Sequence, residues 1–229
     1  LRYRQDPYQG TLNALRRILS QKPLGRVLEI GCGTCHWLEQ LRGTGHHMLV
    51  GVDKAFQMLK QTNHPNFLLL CQGTAENVLI KNESIDLIYC VNALHHFSDA
   101  EQFIHQANRL LRSKGTLAII GMNPRDSRNR WYIYDFFKGT LARDLDRFPD
   151  WSQVRFWMEK SNFSNILRQD VEFIHDPKTV GNVLKDPFLK KHACSQLALL
   201  DQSDYQNGID KIRKHVDNHR DTGYQYEND

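Results

Sequence analysis

The sequence has no apolar run approaching the roughly 20 residues that a helix needs to cross a bilayer. Its first ten residues, LRYRQDPYQG, lack the apolar centre of an export signal, so the expectation is a cytoplasmic chain with no membrane partner. Cysteine is sparse and odd in number. There are five (Cys32, Cys35, Cys71, Cys90, Cys194), and four lie in or beside apolar runs. That argues against a disulfide framework and for free thiols in a reducing compartment. No dense Lys/Arg block appears either. Thirty basic residues against 26 acidic ones leave a formal charge of +4, which permits a nucleic-acid partner without arguing for one. What remains, 40% apolar and 24% charged, suits a globular chain with enough core to fold without staples.

Five short apolar runs, at 26–30, 47–52, 66–71, 85–91 and 115–121, read as strands. They are nearly continuous rather than alternating, as strands covered on both faces are. Between them, 36–43, 55–62 and 99–113 have helical spacing, as does 11–20 ahead of them. Thr11 is a candidate cap for the first of these helices, and Ser98 or Asp99 for the last. Strand–helix alternation implies a mostly parallel sheet with right-handed crossovers, an open α/β fold with helices on both faces. Such folds take ligands beyond the carboxyl ends of their strands, at the switch point.

The stretch EIGCGTCHWL, Glu29 to Leu38, carries two incompatible signals. Cys32-Gly-Thr-Cys35-His36 spells a haem attachment sequence and also a redox or zinc half-site. Haem attachment needs an oxidising, exported setting, and structural zinc needs four ligands at suitable spacing. The simpler reading makes both thiols small residues filling a tight turn, so no metal is expected. Gly31-x-Gly33, after an apolar run and before a helical one, is how a nucleotide-binding turn begins. Gly31 allows a sharp exit from the strand, and Gly33 allows a cofactor to approach bare backbone. Amides at the following helix start would face that ligand. A dinucleotide fingerprint would want a third glycine at position 36, where this chain has His36. It would also normally lack an acidic residue where this chain has Glu29.

Glu29-x-Gly31-x-Gly33 at this place resembles motif I of the class I S-adenosylmethionine-dependent methyltransferases, which have a Rossmann-like fold. The resemblance spans about residues 11–121 and rests on several motifs in order. It implies S-adenosylmethionine as cofactor and a cofactor-binding core over 1–121 of a single domain. Glu29 would lie near the cofactor's ammonium group, and the backbone of Gly31, Cys32 and Gly33 beside its methionine part. Asp53, twenty residues after Gly33, would accept from the ribose hydroxyls, with Lys54 and Met58 flanking the adenine. After strand three the family commonly has an Asp for the adenine amino group. This chain has Thr74 there, a weaker acceptor, with the backbone of Ala75 and Glu76 beside it. Val91 and Asn92 would neighbour the transferable methyl. His95 and His96, which follow strand four, are candidate general bases, because imidazole titrates near neutrality. The plainer role for each is packing or capping under the next helix.

Residues 122–229 would then hold acceptor-side insertions. Residues 155–175 read as a helix followed by a sixth strand, and 191–202 and 204–219 as further helices. A seventh strand is hard to find, because the terminal TGYQYEND is short and polar. Arg125, Arg128 and Arg130 would form a solvated loop or meet an acidic acceptor. Trp131, Tyr132, Tyr134, Phe136 and Phe137 would line a pocket or pack a satellite core. The expected activity is methyl transfer to a small-molecule acceptor. An RNA acceptor such as tRNA is the alternative, though the Asn/Asp-Pro-Pro-aromatic stretch that family members use on exocyclic base amines is missing. A non-catalytic assembly factor retaining the fold is another alternative, and a dehydrogenase a minor one.

Overall fold

The structure is a computed structural model that describes residues 8–21, 25–43, 48–62, 68–220 and 222–228. In chain order the elements are α1 (Gln9–Ser20), β1 (Arg26–Ile30), α2 (His36–Gln40), β2 (Met48–Asp53), α3 (Phe56–Leu59) and β3 (Leu68–Gln72). Next come β4 (Ile85–Val91), α4 (Ala100–Leu110), β5 (Leu111–Ile120), α5 (Ile133–Phe136), α6 (Thr140–Arg147) and α7 (Trp151–Lys160). The last are β6 (Lys178–Thr179), α8 (Ser195–Ala198), α9 (Gln202–Asn218) and β7 (Gln225–Tyr226). They fall into two compact units. The first takes Gln9–Met122 and Pro149–Glu172, the second Leu1–Tyr8, Asn123–Phe148 and Phe173–Asp229.

The first unit is built on a five-stranded sheet ordered β3-β2-β1-β4-β5. All four pairings are parallel, so the α/β expectation holds. The order reverses between β1 and β4, which places the switch point at their carboxyl ends. Val27, Leu28 and Ile30 of β1 and Leu87, Ile88 and Cys90 of β4 are buried, which is why these strands read as unbroken apolar runs. In α4, Phe103, Ile104, Ala107 and Leu110 recur at helical spacing and join this core. Asp99, rather than Ser98, caps it by accepting from the Gln102 amide at 2.8 Å. Val154 of α7 enters the same core, with Trp157, Met158 and Phe163 against it.

Four expectations change. The strand foreseen at 115–121 begins at Leu111, because its pairing with β4 passes through a register shift between Ile85 and Leu87. Helices foreseen at 36–43 and 55–62 shorten to His36–Gln40 and Phe56–Leu59. The sixth strand foreseen near the end of 155–175 is not there: α7 forms, but 161–177 makes no ladder. The segment instead serves α1. Glu172 Oε2 accepts the Thr11 amide at 2.9 Å, and the Val171 carbonyl passes so close to Gly10 that a Cβ there would meet it at 1.8 Å. Phe173 and Leu167 consequently stay exposed. Thr11 is therefore not the cap of α1, since the helix starts ahead of it at Gln9.

The second unit packs Tyr132, Ile133, Phe137, Val183, Leu189, Leu197, Leu200, Ile212 and Tyr226 into its own core. Most of the aromatic patch thus forms a satellite core. Gly208 of α9 lies against Phe137, whose ring would be 2.2 Å from a Cβ at that position. The buried Asp144 carboxylate accepts from Tyr134 Oη and Gln196 Nε2, each at 2.7 Å, and pairs with Arg147. The arginines of the lead are engaged within the unit: Arg125 donates to the Leu145 and Phe148 carbonyls, Arg128 pairs with Asp126, and Arg130 with Glu227. The polar terminal stretch supplies β7, antiparallel to β6.

Candidate functional site

The carboxyl ends of β1, β2, β3 and β4 bring the sequence-derived residues together in the first unit. Gly31 and Gly33 leave β1 with φ of +72° and +54°, a region that L side chains rarely adopt. At Gly31 the demand is also one of space, because a Cβ would meet Ala93 Cβ at 2.5 Å and Phe97 at 3.3 Å. At Gly33 a Cβ would sit in ordinary contact with Met58 Cε at 3.6 Å, so the demand there is on backbone conformation rather than on space. Asp53, at the tip of β2, turns into this bend. Its Oδ2 accepts the Gly33 amide at 2.7 Å and its Oδ1 the Ala55 amide at 2.7 Å. Each oxygen keeps a second lone pair for another donor.

The bend largely satisfies itself. Gly31 and Cys32 both donate to the Val52 carbonyl, at 2.8 and 3.2 Å, and Cys35 donates to the Cys32 carbonyl at 2.8 Å. These three amides are therefore spent on the bend itself. What the bend offers is carboxylate chemistry. Glu29 is only 1% exposed, and Tyr89 Oη donates to its Oε2 at 3.2 Å. Burial pushes its carboxyl well above the usual carboxylate range, against the pull of the Tyr89 hydrogen bond. The sequence reading missed Tyr89, which is brought to Glu29 as its partner in the parallel register of β1 and β4.

The other predicted residues surround this bend. Lys54 Nζ reaches the His96 carbonyl at 3.4 Å, and Gln72 Nε2 holds the Lys54 carbonyl at 3.1 Å. Met58 is 40% exposed over Gly33. After β3, Ala75 is buried, while Thr74 pairs with Asn77 in an isolated bridge. Glu76 accepts from the Ser98 and Asp99 amides at 2.7 and 3.1 Å, which ties the β3 end to the loop after β4. Partial burial raises the Glu76 pKa, but these bonds, its own amide and the Thr74 hydroxyl together hold it below the ordinary value. Val91 is buried, and Asn92 takes a φ of +51° while its amide continues the ladder to the Ile120 carbonyl at 2.8 Å. His95 and His96 lie on a 3-10 turn (Leu94–His96) with ring centres 4.0 Å apart.

Cys32 and Cys35 are both buried, their sulfurs 3.9 Å apart. Among the described residues no group of three or more His, Cys, Asp or Glu side chains is placed to hold a metal ion. No helix among them is long and apolar enough to cross a membrane.

The comparisons with known proteins agree with this geometry. Residues 28–119 match the methyltransferase domain family. The chain is 28% identical over 151 residues to a tRNA U34 carboxymethyltransferase of Pseudoalteromonas translucida, covering 63% of this chain and 46% of that one. It is 27% identical over 145 residues to a phthiotriol/phenolphthiotriol dimycocerosates methyltransferase of Mycobacterium leprae, covering 60% and 53%. It therefore spans about half the length of the curated relatives it matches. The fold is similar to that of a putative methyltransferase from an antibiotic biosynthesis pathway of Anabaena variabilis. That likeness has a TM-score of 0.74 and 21% identity, and covers 97% of this chain and 94% of the other. The β1 bend, the β2 carboxylate and the switch point all lie inside the segment that matches the methyltransferase domain family.

Proposed function

We propose that the chain binds S-adenosylmethionine at the β1–β2 bend and transfers its methyl group to a small-molecule acceptor. The observation that carries this reading is the Asp53 carboxylate, held 2.7 Å from the Gly33 amide at the glycine bend that leaves β1. In this reading Asp53 accepts from the ribose hydroxyls, as carboxylates at the end of a second strand do in nucleotide-binding folds. Glu29 complements the ammonium group, and Met58 and Lys54 flank the base with Thr74, Ala75 and Glu76. The Gly31–Gly33 backbone, Val91 and Asn92 line the methionine side.

The bound cofactor supplies an electrophilic methyl on a sulfonium, so the protein's part is alignment of the acceptor and exclusion of water. His95 and His96 are the groups proposed to take up an acceptor proton at an imidazole nitrogen. Apart from the histidines, Lys54 is the single cation among these residues, and its ammonium already reaches a carbonyl. That favours transfer of a neutral methyl over a carboxylate-bearing group.

Calorimetric titration with S-adenosylhomocysteine tests the cofactor, and Asp53→Asn tests its anchor. The variant should weaken binding by about 1.5–3 kcal/mol, on the order of 10- to 100-fold, as loss of hydrogen bonds to a charged group does. Equal affinity in both forms would remove Asp53 from the site. Absence of binding at millimolar ligand would favour a non-catalytic role.

A tRNA acceptor is the second reading, favoured by the likeness to a tRNA U34 carboxymethyltransferase. Filter binding of bulk tRNA at graded salt tests it, because phosphate contacts make affinity fall as salt rises. Absent or salt-insensitive binding would eliminate the tRNA reading.

A further inference from the structure

The cofactor bend contains a dithiol that methyl transfer does not use. Cys32 and Cys35 flank Gly33 and Thr34, the Cys35 amide folds back on the Cys32 carbonyl at 2.8 Å, and the two sulfurs come within 3.9 Å. We propose that this pair is a site of reversible disulfide formation by a small peroxide, and that closing the bond weakens binding of the nucleoside cofactor. The second half of the proposal rests on the function proposed above.

The geometry favours the bond and assigns it a consequence. A disulfide needs sulfurs about 2.05 Å apart, so the present separation must close by close to 2 Å. Cys32 has little freedom to move, because its sulfur is packed against β2 and a Cβ on Gly51 would already meet it at 2.9 Å. The movement therefore falls on Cys35, a non-glycine residue held at a φ of +64° at the start of α2. That is a strained conformation, of the kind found where local structure has two states. The segment that must shift includes Gly33, whose amide is donated to Asp53. Drawing Cys35 toward Cys32 disturbs that bond and with it the aim of the carboxylate.

The chemistry is asymmetric in a useful way. The hydrogen bond between the two sulfurs holds the Cys35 thiol below its ordinary pKa, while Cys32 is pushed up by the same bond and by burial. Both sulfurs are buried, so the oxidant must be as small as hydrogen peroxide and reach them as the bend opens, with Cys35 supplying the thiolate. Its thiolate attacks hydrogen peroxide: an S–O bond forms, the O–O bond breaks, and hydroxide leaves to be protonated to water. Cys32 then loses its proton and attacks the Cys35 sulfur. The S–S bond forms, the S–O bond breaks, and a second water departs. Two thiols have lost two electrons and two protons, and the peroxide has been reduced to two waters. A dithiol reductant reverses the result by exchange.

The test uses the Cys71→Ser chain, because Cys71 is exposed and would compete for oxidant. After mild hydrogen peroxide, the intact mass should fall by two hydrogens and a peptide map should join Cys32 to Cys35. Dithiothreitol should restore both. S-adenosylhomocysteine titrated into the oxidised chain should bind weaker than to the reduced chain by on the order of tenfold, the loss of about one charge-assisted hydrogen bond. Sulfinic or sulfonic acids without a cross-link would overturn the proposal, as would a cross-linked chain with undiminished affinity. If the reduced chain itself binds no S-adenosylhomocysteine, the cofactor reading falls. The dithiol is then judged by hydrogen exchange at the Gly33 amide, which should speed up on cross-linking; an unchanged rate would overturn it.

Discussion

Glu29 is a carboxyl that the protein keeps out of water beside a tyrosine. Burial raises its folded pKa above the roughly 4.3 of an unfolded glutamate. The stability it contributes is therefore complete below that pH and is lost as pH rises toward the folded value. Glu29→Gln removes the titration but keeps the acceptor for Tyr89. Between pH 4 and 8 the thermal midpoint of the native chain should decline relative to that of Glu29→Gln, and a constant difference would mean that Glu29 titrates like a surface glutamate. Gly31 gives a sharper test. Gly31→Ala meets both a left-handed backbone and a 2.5 Å approach to Ala93, and should destabilise by about 2–4 kcal/mol in urea denaturation. The amides of the same bend are turned onto Val52, Asp53 and Cys32.

Elements carry these residues to one rim, and the least obvious tie between elements is Glu76. It accepts two amides from the loop after β4 and so holds the turn that bears His95 and His96. Glu76→Ala should cost about 1 kcal/mol of stability and speed amide exchange at Ser98 and Asp99, read by mass spectrometry or NMR. The strands themselves were largely legible. Arg26–Ile30 and Ile85–Val91 matched their apolar runs because strands buried on both faces have no polar phase to blur their ends. The start of β5 was not, because Arg112, Ser113 and Lys114 are exposed and Lys114 has a φ of +63°, so the segment reads as a turn. The VEFIH segment has strand composition but joins no ladder. Only the structure shows Glu172 serving as the partner of an α1 amide 161 positions away. The glycine bend was legible from its place between an apolar run and a helical one, and Asp53 from the family resemblance that the bend carries. The Tyr89 partner and the inward-turned amides depend on register and backbone direction, which composition does not carry.

At the scale of the whole molecule there are two units with separate cores. In the second, the contact of Gly208 with Phe137 is a tight one. Gly208→Ala would gain about 1 kcal/mol of helix propensity and lose about 1–3 to overpacking, since the Phe137 ring is wholly buried and cannot retreat. The balance should be a net loss, seen as faster amide exchange along α9. The first unit is not continuous in sequence. The sheet ends at Ile120, yet α7 and Glu172 belong with it, after an excursion of 26 residues from Asn123 to Phe148. On a ribosome adding about 5–20 residues per second, the sheet has emerged for several seconds before its last helix and the acceptor for the Thr11 amide exist. A nascent chain stalled after β5 would show its apolar α4 flank to the cytosol or to a chaperone, and productive closure would begin only once the region around Glu172 cleared the exit tunnel.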